Sequence, residues 1–295
     1  MVASEASAGS QARAADEASI TNETSNVNAI RGHYDRLSVL YRALWGEHIH
    51  HGYWENGESP ATAQVRLVER LAVRAAIPHG ARVLDVGSGF GGSSLWLAQN
   101  LGCSVLGLNI SPVQTIMATH QARVAGLADR AHFEVKDANH LDLPSESFDA
   151  VWVIESSEHL DDKAAFIESC ARVLKPGGVL SLCAWLVADD LLSSGQARLV
   201  SEVCRGMLCP SLATRNGYVA WMRRSGLGEI QAEDITRHVE KTWIYCASIV
   251  RRPAVKSLLR MSDTGTRDFV EAFSAIDRAY AGGFMAYGMF TAKRA

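Results

Sequence analysis

No two cysteines in this chain are spaced as CxxC, and Cys103, Cys170, Cys183, Cys204, Cys209 and Cys246 sit mostly in apolar surroundings. Zinc ribbons and the disulfide frameworks of small secreted domains are therefore excluded. Buried, reduced thiols in a cytoplasmic protein fit instead. Blocks of basic residues are missing too. With 29 Lys and Arg against 32 Asp and Glu, the net charge is -3, which argues against nucleic acid or an anionic membrane surface as the main partner. No apolar run is long enough for a membrane span, no charged-then-apolar leader opens the chain, and no internal repeat is visible.

What is present is one substantial core. A chain of 295 residues that is 47% hydrophobic suggests one large domain with a small appendage, as a monomer or homodimer. Residues 1–28 lack apolar periodicity and are expected to form a disordered tail. A helical pattern then carries Ile30, Tyr34, Leu37, Leu40, Tyr41 and Leu44 into a cluster of histidines and aromatics, from Trp45 to Trp54. The spacing of His48, His50 and His51 matches no zinc pattern, so no metal is assigned. An aromatic cap over a ligand pocket is the preferred reading, with a purely structural cluster as the alternative. Together with an amphipathic helix from Ser59 to Ala76, this defines an expected N-terminal helical cap over 29–78.

The chain is organised around Ala81 to Gly92. Apolar residues enclosing Asp85 run into a loop with Gly87, Gly89, Gly91 and Gly92, and a helical pattern follows at once. This reads as a buried parallel strand, a tight turn and a helix N-terminus, the arrangement that seats nucleotide-like ligands. The glycines alone also satisfy a dinucleotide fingerprint. Asp85 discriminates, because its carboxylate would repel a pyrophosphate and welcome the ammonium group of S-adenosylmethionine. A structural aspartate capping the turn is the alternative.

Strands and helices alternate from there. Further strands are expected at 104–109, 131–137, 148–154, 179–185 and 228–235, and a last one at 284–293, after a mostly helical lid over 236–283. The pattern predicts an α/β, doubly wound, Rossmann-like sheet within a domain of residues 79–295, seven-stranded and mostly parallel. Ligands of such sheets bind beyond the strands' carboxyl ends. Asp85, Asn109, Asp137 and Glu155 each fall at or just after one of those ends, so a ligand with amine, ribose and base is expected there.

Val83 to Gly92, His50 to Trp54, Ile110 to Gln114, Asp137-Ala138, Glu155 to His159 and Arg172 to Gly178 together resemble the class I S-adenosylmethionine-dependent methyltransferases. Within that class the chain is most similar to the small-molecule group containing γ-tocopherol and related quinol methyltransferases. The resemblance implies an antiparallel last strand and a cofactor, S-adenosyl-L-methionine, that leaves as S-adenosyl-L-homocysteine. It implies that Asp85, Gly87, Ser88 and Gly89 hold the methionine end. Asn109 stands where the class usually has a ribose-binding acid, with Ile110 and Gln114 beside it; Asp137 and Ala138 would take the adenine, and Glu155 the active-site floor.

A neutral oxygen nucleophile must lose its proton, and Glu158 and His159 are the expected bases. The alternatives are an N-cap for Glu158 and a structural hydrogen bond for His159. Tyr34, His51, Tyr53, Trp54, Trp185, Trp243 and Tyr245 are expected to bind the acceptor, together with Tyr41, Phe269 and Phe273. So aromatic a wall predicts a small lipophilic acceptor methylated at oxygen or carbon, with many of these rings being plain core as the alternative. N-methylation of an amine, a nicotinamide dehydrogenase and a non-catalytic S-adenosylmethionine-binding module are the competing functions.

Overall fold

A computed structural model describes residues 27–43, 45–190, 192–253, 255, 257 and 264–295. The tail expected over 1–28 therefore lies outside the described residues, except for its last two. These open helix α1, over 27–43. Then follow α2 (Pro60–Arg74), β1 (Arg82–Val86), α3 (Gly92–Leu101), β2 (Ser104–Asn109), α4 (Pro112–Val124), β3 (Ala131–Val135) and β4 (Phe148–Ile154). A single 3-10 turn (Ser157–His159) leads to α5 (Lys163–Val173), β5 (Leu174–Val187), α6 (Ser194–Gly206), α7 (Arg215–Arg224) and β6 (Leu227–Asp234). Helices α8 (Thr236–Val239), α9 (Lys241–Val250) and α10 (Thr264–Ala281) precede β7 (Met285–Arg294).

The strands form one sheet in the order β3-β2-β1-β4-β5-β7-β6. Pairs from β3 through β5 are parallel, and β7 runs antiparallel to both β5 and β6. The strand order reverses between β1 and β2 on one side and β4 on the other. That switch point is where a ligand crevice opens.

Local sequence explains most boundaries. Ser111 accepts a hydrogen bond from the Gln114 N–H and Pro112 supplies a preset φ, so α4 starts right after β2. The Asp162 side chain caps α5 at the Ala165 N–H, which starts this helix at Lys163. The fifth strand is longer than expected, Leu174–Val187, because the chain re-enters extended geometry directly at Leu174 and β7 pairs along it from Val179 to Val187.

Helix α2 departs from the expected cap over 29–78. Its Leu67, Val68 and Leu71 are fully buried in one cluster with Val83, Leu97 and Trp152, so it covers a face of the sheet. Within that stretch, α1 and the segment after it lie over the crevice.

Candidate active site

Two cavities meet above the switch point. The first is an open cleft that runs past Gly87, Gly89, Asn109, Ile110, Gln114, Asp137, Ala138 and Glu155. Gly87 adopts φ 81°, and a Cβ there would come within 2.3 Å of the Ser156 Cβ, so only glycine fits where the loop passes β4. Gly89, at φ 54°, has open space where a Cβ would stand. There the backbone itself forms the wall of the cleft.

Asn109 acts through its neighbours. Its Nδ2 donates to the Gly89 carbonyl at 3.0 Å and to Gln114 Oε1 at 2.9 Å, while its Oδ1 accepts from the Ser111 N–H. Gln114 is thereby turned so that its buried Nε2 finds no partner among the described residues, and neither does the Ser88 Oγ. A buried donor left over at a cleft wall suits a ligand with acceptor oxygens. The orphaned Gln114 amide, with the glycine wall, fits S-adenosylmethionine.

Asp85 and Ser88 lie behind the glycine loop and not on the cleft lining. Asp85 is 3% exposed and accepts from Ser94 Oγ at 2.6 Å. Burial raises its carboxyl to about 7 despite that hydrogen bond. An ammonium group nearby would favour the charged form.

The second cavity is a chamber lined from α1, α9 and α10, and it shares Tyr34, Ile49, Glu155 and His159 with the cleft. Tyr41, His51, Trp185, Trp243 and Phe269 line the rest of its aromatic wall. Against Tyr41, Trp45 and Phe269, which line both, stands a further cavity with a mostly apolar wall that includes Phe273, Cys246 and Ile249.

Glu155 sits where the cavities join. It adopts φ 52°, a left-handed conformation uncommon outside glycine. One carboxylate oxygen accepts from the His51 N–H, His51 Nδ1 and the Tyr287 hydroxyl, at 2.7, 3.0 and 2.6 Å; the other accepts from Trp185 Nε1 at 2.9 Å. Burial pushes its pKa up. The opposing pull of His51, His50 and the Tyr287 hydroxyl is stronger and holds the carboxylate at about 2.

Of the two expected bases, His159 is at the junction and Glu158 is not. His159 Nδ1 lies 3.2 Å from the Leu208 carbonyl and Nε2 lies 3.1 Å from the Tyr34 hydroxyl, so the imidazole donates to Leu208 and accepts from Tyr34. Burial lowers the His159 pKa, which keeps the ring neutral. Glu158 is 2% exposed, lines neither cavity, and accepts from the Trp185 N–H at 2.6 Å. It caps no helix. Burial, then the charge of Glu155, lifts its carboxyl to about 8.

Three residues expected to bind the acceptor line neither cavity. Tyr53 stacks on His238 with ring centroids 4.3 Å apart and takes Arg70 on its ring, so its surface is spent on packing. Trp54 donates to the Thr242 hydroxyl, holding a side chain that does line the chamber. Tyr245 lies two positions beyond Trp243 on α9 and is not on the chamber wall. The histidines are tied to one another and to the backbone. His50 bonds His48 Nδ1 and the His51 carbonyl, and burial lowers the pKa of both His48 and His50. Among the described residues, no three His, Cys, Asp or Glu side chains converge as a metal site.

Sequence reasoning missed Tyr287 and Ile49. The β5–β7 register sets Tyr287 opposite Trp185, which aims both side chains at Glu155. No local signal marks a strand tyrosine for that role. Ile49 stands among the histidines that drew attention.

A family model described as a methyltransferase domain matches residues 84–182, the segment that carries β1 to β5 and the cleft. The chain is 33% identical over 229 residues to the probable chloroplastic tocopherol O-methyltransferase of Oryza sativa subsp. japonica, covering 72% of this chain and 63% of that protein. It is 36% identical over 222 residues to the 27-O-demethylrifamycin SV methyltransferase of Amycolatopsis mediterranei, covering 75% and 81%. The crystal structure of geranyl diphosphate C-methyltransferase from Streptomyces coelicolor A3(2), in complex with S-adenosyl-L-homocysteine, superposes with a TM-score of 0.72 at 18% identity, covering 92% of this chain and 98% of that one. Sheet order, cleft and sequence agree, and the chain belongs to the S-adenosylmethionine-dependent methyltransferases.

Proposed function

We propose that this enzyme methylates oxygen or carbon of a small, lipophilic natural product held in the aromatic chamber. One observation carries the reading: the glycine-walled cleft and the aromatic chamber share Tyr34, Ile49, Glu155 and His159, the place for a methyl group to pass from one to the other. Bound S-adenosylmethionine supplies an activated methyl on sulfur, so the protein's work is to align a nucleophile and keep out water. Gly87, Gly89 and Gln114 would hold the cofactor, with Asn109 positioning Gln114 and Asp85 countering the ammonium group from behind the loop. Asp137, Ala138 and Ile110 would flank the adenosine. Tyr34 and His159 would hold the reacting end of the acceptor. Glu158 backs the strand end through Trp185 without touching either ligand.

The mostly apolar cavity beside the chamber favours a carbon skeleton over a phosphorylated acceptor, in keeping with the tocopherol and rifamycin substrates named for two relatives. Helix α1 and lid helices α9 and α10 would form the movable cover. Six buried thiols and no disulfide suit a reducing, cytoplasmic setting. No helix among the described residues is long and apolar enough to cross a membrane.

The test is incubation with isotopically labelled S-adenosylmethionine and a panel of hydroquinones, phenols, terpenoids and amines, followed by mass spectrometry. Label should enter a lipophilic phenol or alcohol. Transfer to an amine alone would replace this reading with N-methylation.

A further inference from the structure

We infer that His51 is the general base of the transfer, poised by Glu155 to take the proton of an acceptor hydroxyl on its Nε2. The inference rests on the proposed reaction and sharpens it to a hydroxyl acceptor.

The geometry has three parts. His51 lines the acceptor chamber and is only 1% exposed. Its Nδ1 lies 3.0 Å from a Glu155 oxygen, and that carboxylate is held ionised. An ionised carboxylate only accepts, so Nδ1 carries the hydrogen, and in the neutral form of the ring it is Nε2 that keeps the lone pair. That Nε2 is buried and has no hydrogen-bond partner among the described residues. A neutral imidazole with one nitrogen fixed by a carboxylate and the other free beside a substrate cavity is the arrangement in which histidine removes a proton from a hydroxyl.

His159, by contrast, has both ring nitrogens engaged, by Leu208 and Tyr34. The segment holding His51 is rigid. Its backbone N–H is bound to Glu155, the next residue's N–H to Thr242, and its carbonyl to His50. Trp185, Trp243, Tyr280 and Tyr287 surround the ring at centroid distances of 5.6, 5.2, 6.1 and 4.9 Å. The titratable groups facing it are thus Glu155, His50, Tyr280 and Tyr287. Burial pushes both phenols well up and His50 down, so neither tyrosine becomes charged at neutral pH.

The step balances. The acceptor O–H bond breaks with its proton passing to His51 Nε2, the oxygen–methyl bond forms, and the sulfur–methyl bond breaks with its electron pair returning to sulfur. The products are the methyl ether, S-adenosyl-L-homocysteine and an imidazolium paired with Glu155. That pairing compensates a charge formed in a buried place.

Two measurements test this. The first is NMR of the full chain carrying nitrogen-15 in its histidine rings, with S-adenosyl-L-homocysteine added. At neutral pH, His51 should show a protonated Nδ1 and a bare Nε2; a proton on Nε2 would overturn the inference. The second is methylation of trimethylhydroquinone and of the phenol or alcohol converted fastest in the panel. His51→Gln should lower kcat by about 100-fold or more, flatten the acid limb of its pH profile and leave S-adenosyl-L-homocysteine affinity within about twofold. Added imidazole should restore part of the turnover of His51→Ala, a rescue that a packing role would not show. Unchanged kcat in His51→Gln, or an acid limb that persists there and vanishes in His159→Gln, would sink the inference. If the wild-type protein binds the cofactor product and methylates no hydroxyl at all, the proposed reaction has failed, and the tautomer measurement still judges the His51–Glu155 geometry on its own.

Discussion

Burial raises the Asp85 carboxyl to about 7, against the pull of the Ser94 hydroxyl. Near that pH the group is partly protonated, and an ammonium ligand beside it lowers its pKa, so cofactor binding expels a proton. Calorimetry of S-adenosyl-L-homocysteine binding near pH 7, in buffers of different ionisation enthalpy, should show net proton release that Asp85→Asn abolishes. Asn109 works through geometry. Its amide must donate to the Gly89 carbonyl and to Gln114 together, and a carboxylate can do neither. Asn109→Asp should therefore weaken binding of S-adenosyl-L-homocysteine by about tenfold or more, roughly the loss of one or two hydrogen bonds. An unchanged Kd in the same titration would show that this clamp is idle.

At the scale of elements, α1 is the proposed cover of the cleft. Arg31 Nε donates to the Ile110 carbonyl at 3.2 Å, Ser111 Oγ donates to Asp35 at 2.5 Å, and Tyr34 meets His159 across the junction. These bonds tie the helix to the β2–α4 edge of the cleft, where its Tyr34 lines both cavities. Removing the ties with Arg31→Ala and Asp35→Ala should speed dissociation of S-adenosyl-L-homocysteine several-fold in stopped-flow displacement. The melting temperature should shift little, because the sheet and α2 carry the core. Equal off-rates would mean that α1 does not gate the cleft.

At the scale of the whole molecule, Glu158 couples the site to stability. Its folded carboxyl is raised to about 8 from an ordinary value near 4.5, so the folded chain keeps a proton that the unfolded chain loses. That contribution is fully present below about pH 4.5, declines as pH rises, and is gone above about 8. Glu155 has the opposite sign. Held at about 2, it stabilises above 4.5 and is lost as pH falls towards 2. Thermal melts of Glu158→Gln should accordingly drift less between pH 5 and 8 than those of the wild type. An identical drift would place the titrating group elsewhere. Much of this molecule was legible in one dimension. The strand and helix order, the glycine elbow and the polar residues at strand ends follow from periodicity, from glycine at backbone positions where a side chain would collide, and from caps such as Ser111, all local in origin. Which side chain faces which cavity was not local. Tyr53 and Trp54 read as pocket rings, yet His238 and Thr242, far along the chain, claim them. Glu158 and His159 are neighbours in sequence, yet the strand-to-helix turn buries one and brings the other to the junction. The bond from Tyr287 to Glu155 exists only because β7 inserts between β5 and β6. Sequence alone determined the scaffold and the ligand class, since both rest on short-range geometry; the partners of Glu155 and the free nitrogen of His51 were decided by the tertiary structure, because burial and long-range pairing choose which donors a carboxylate meets.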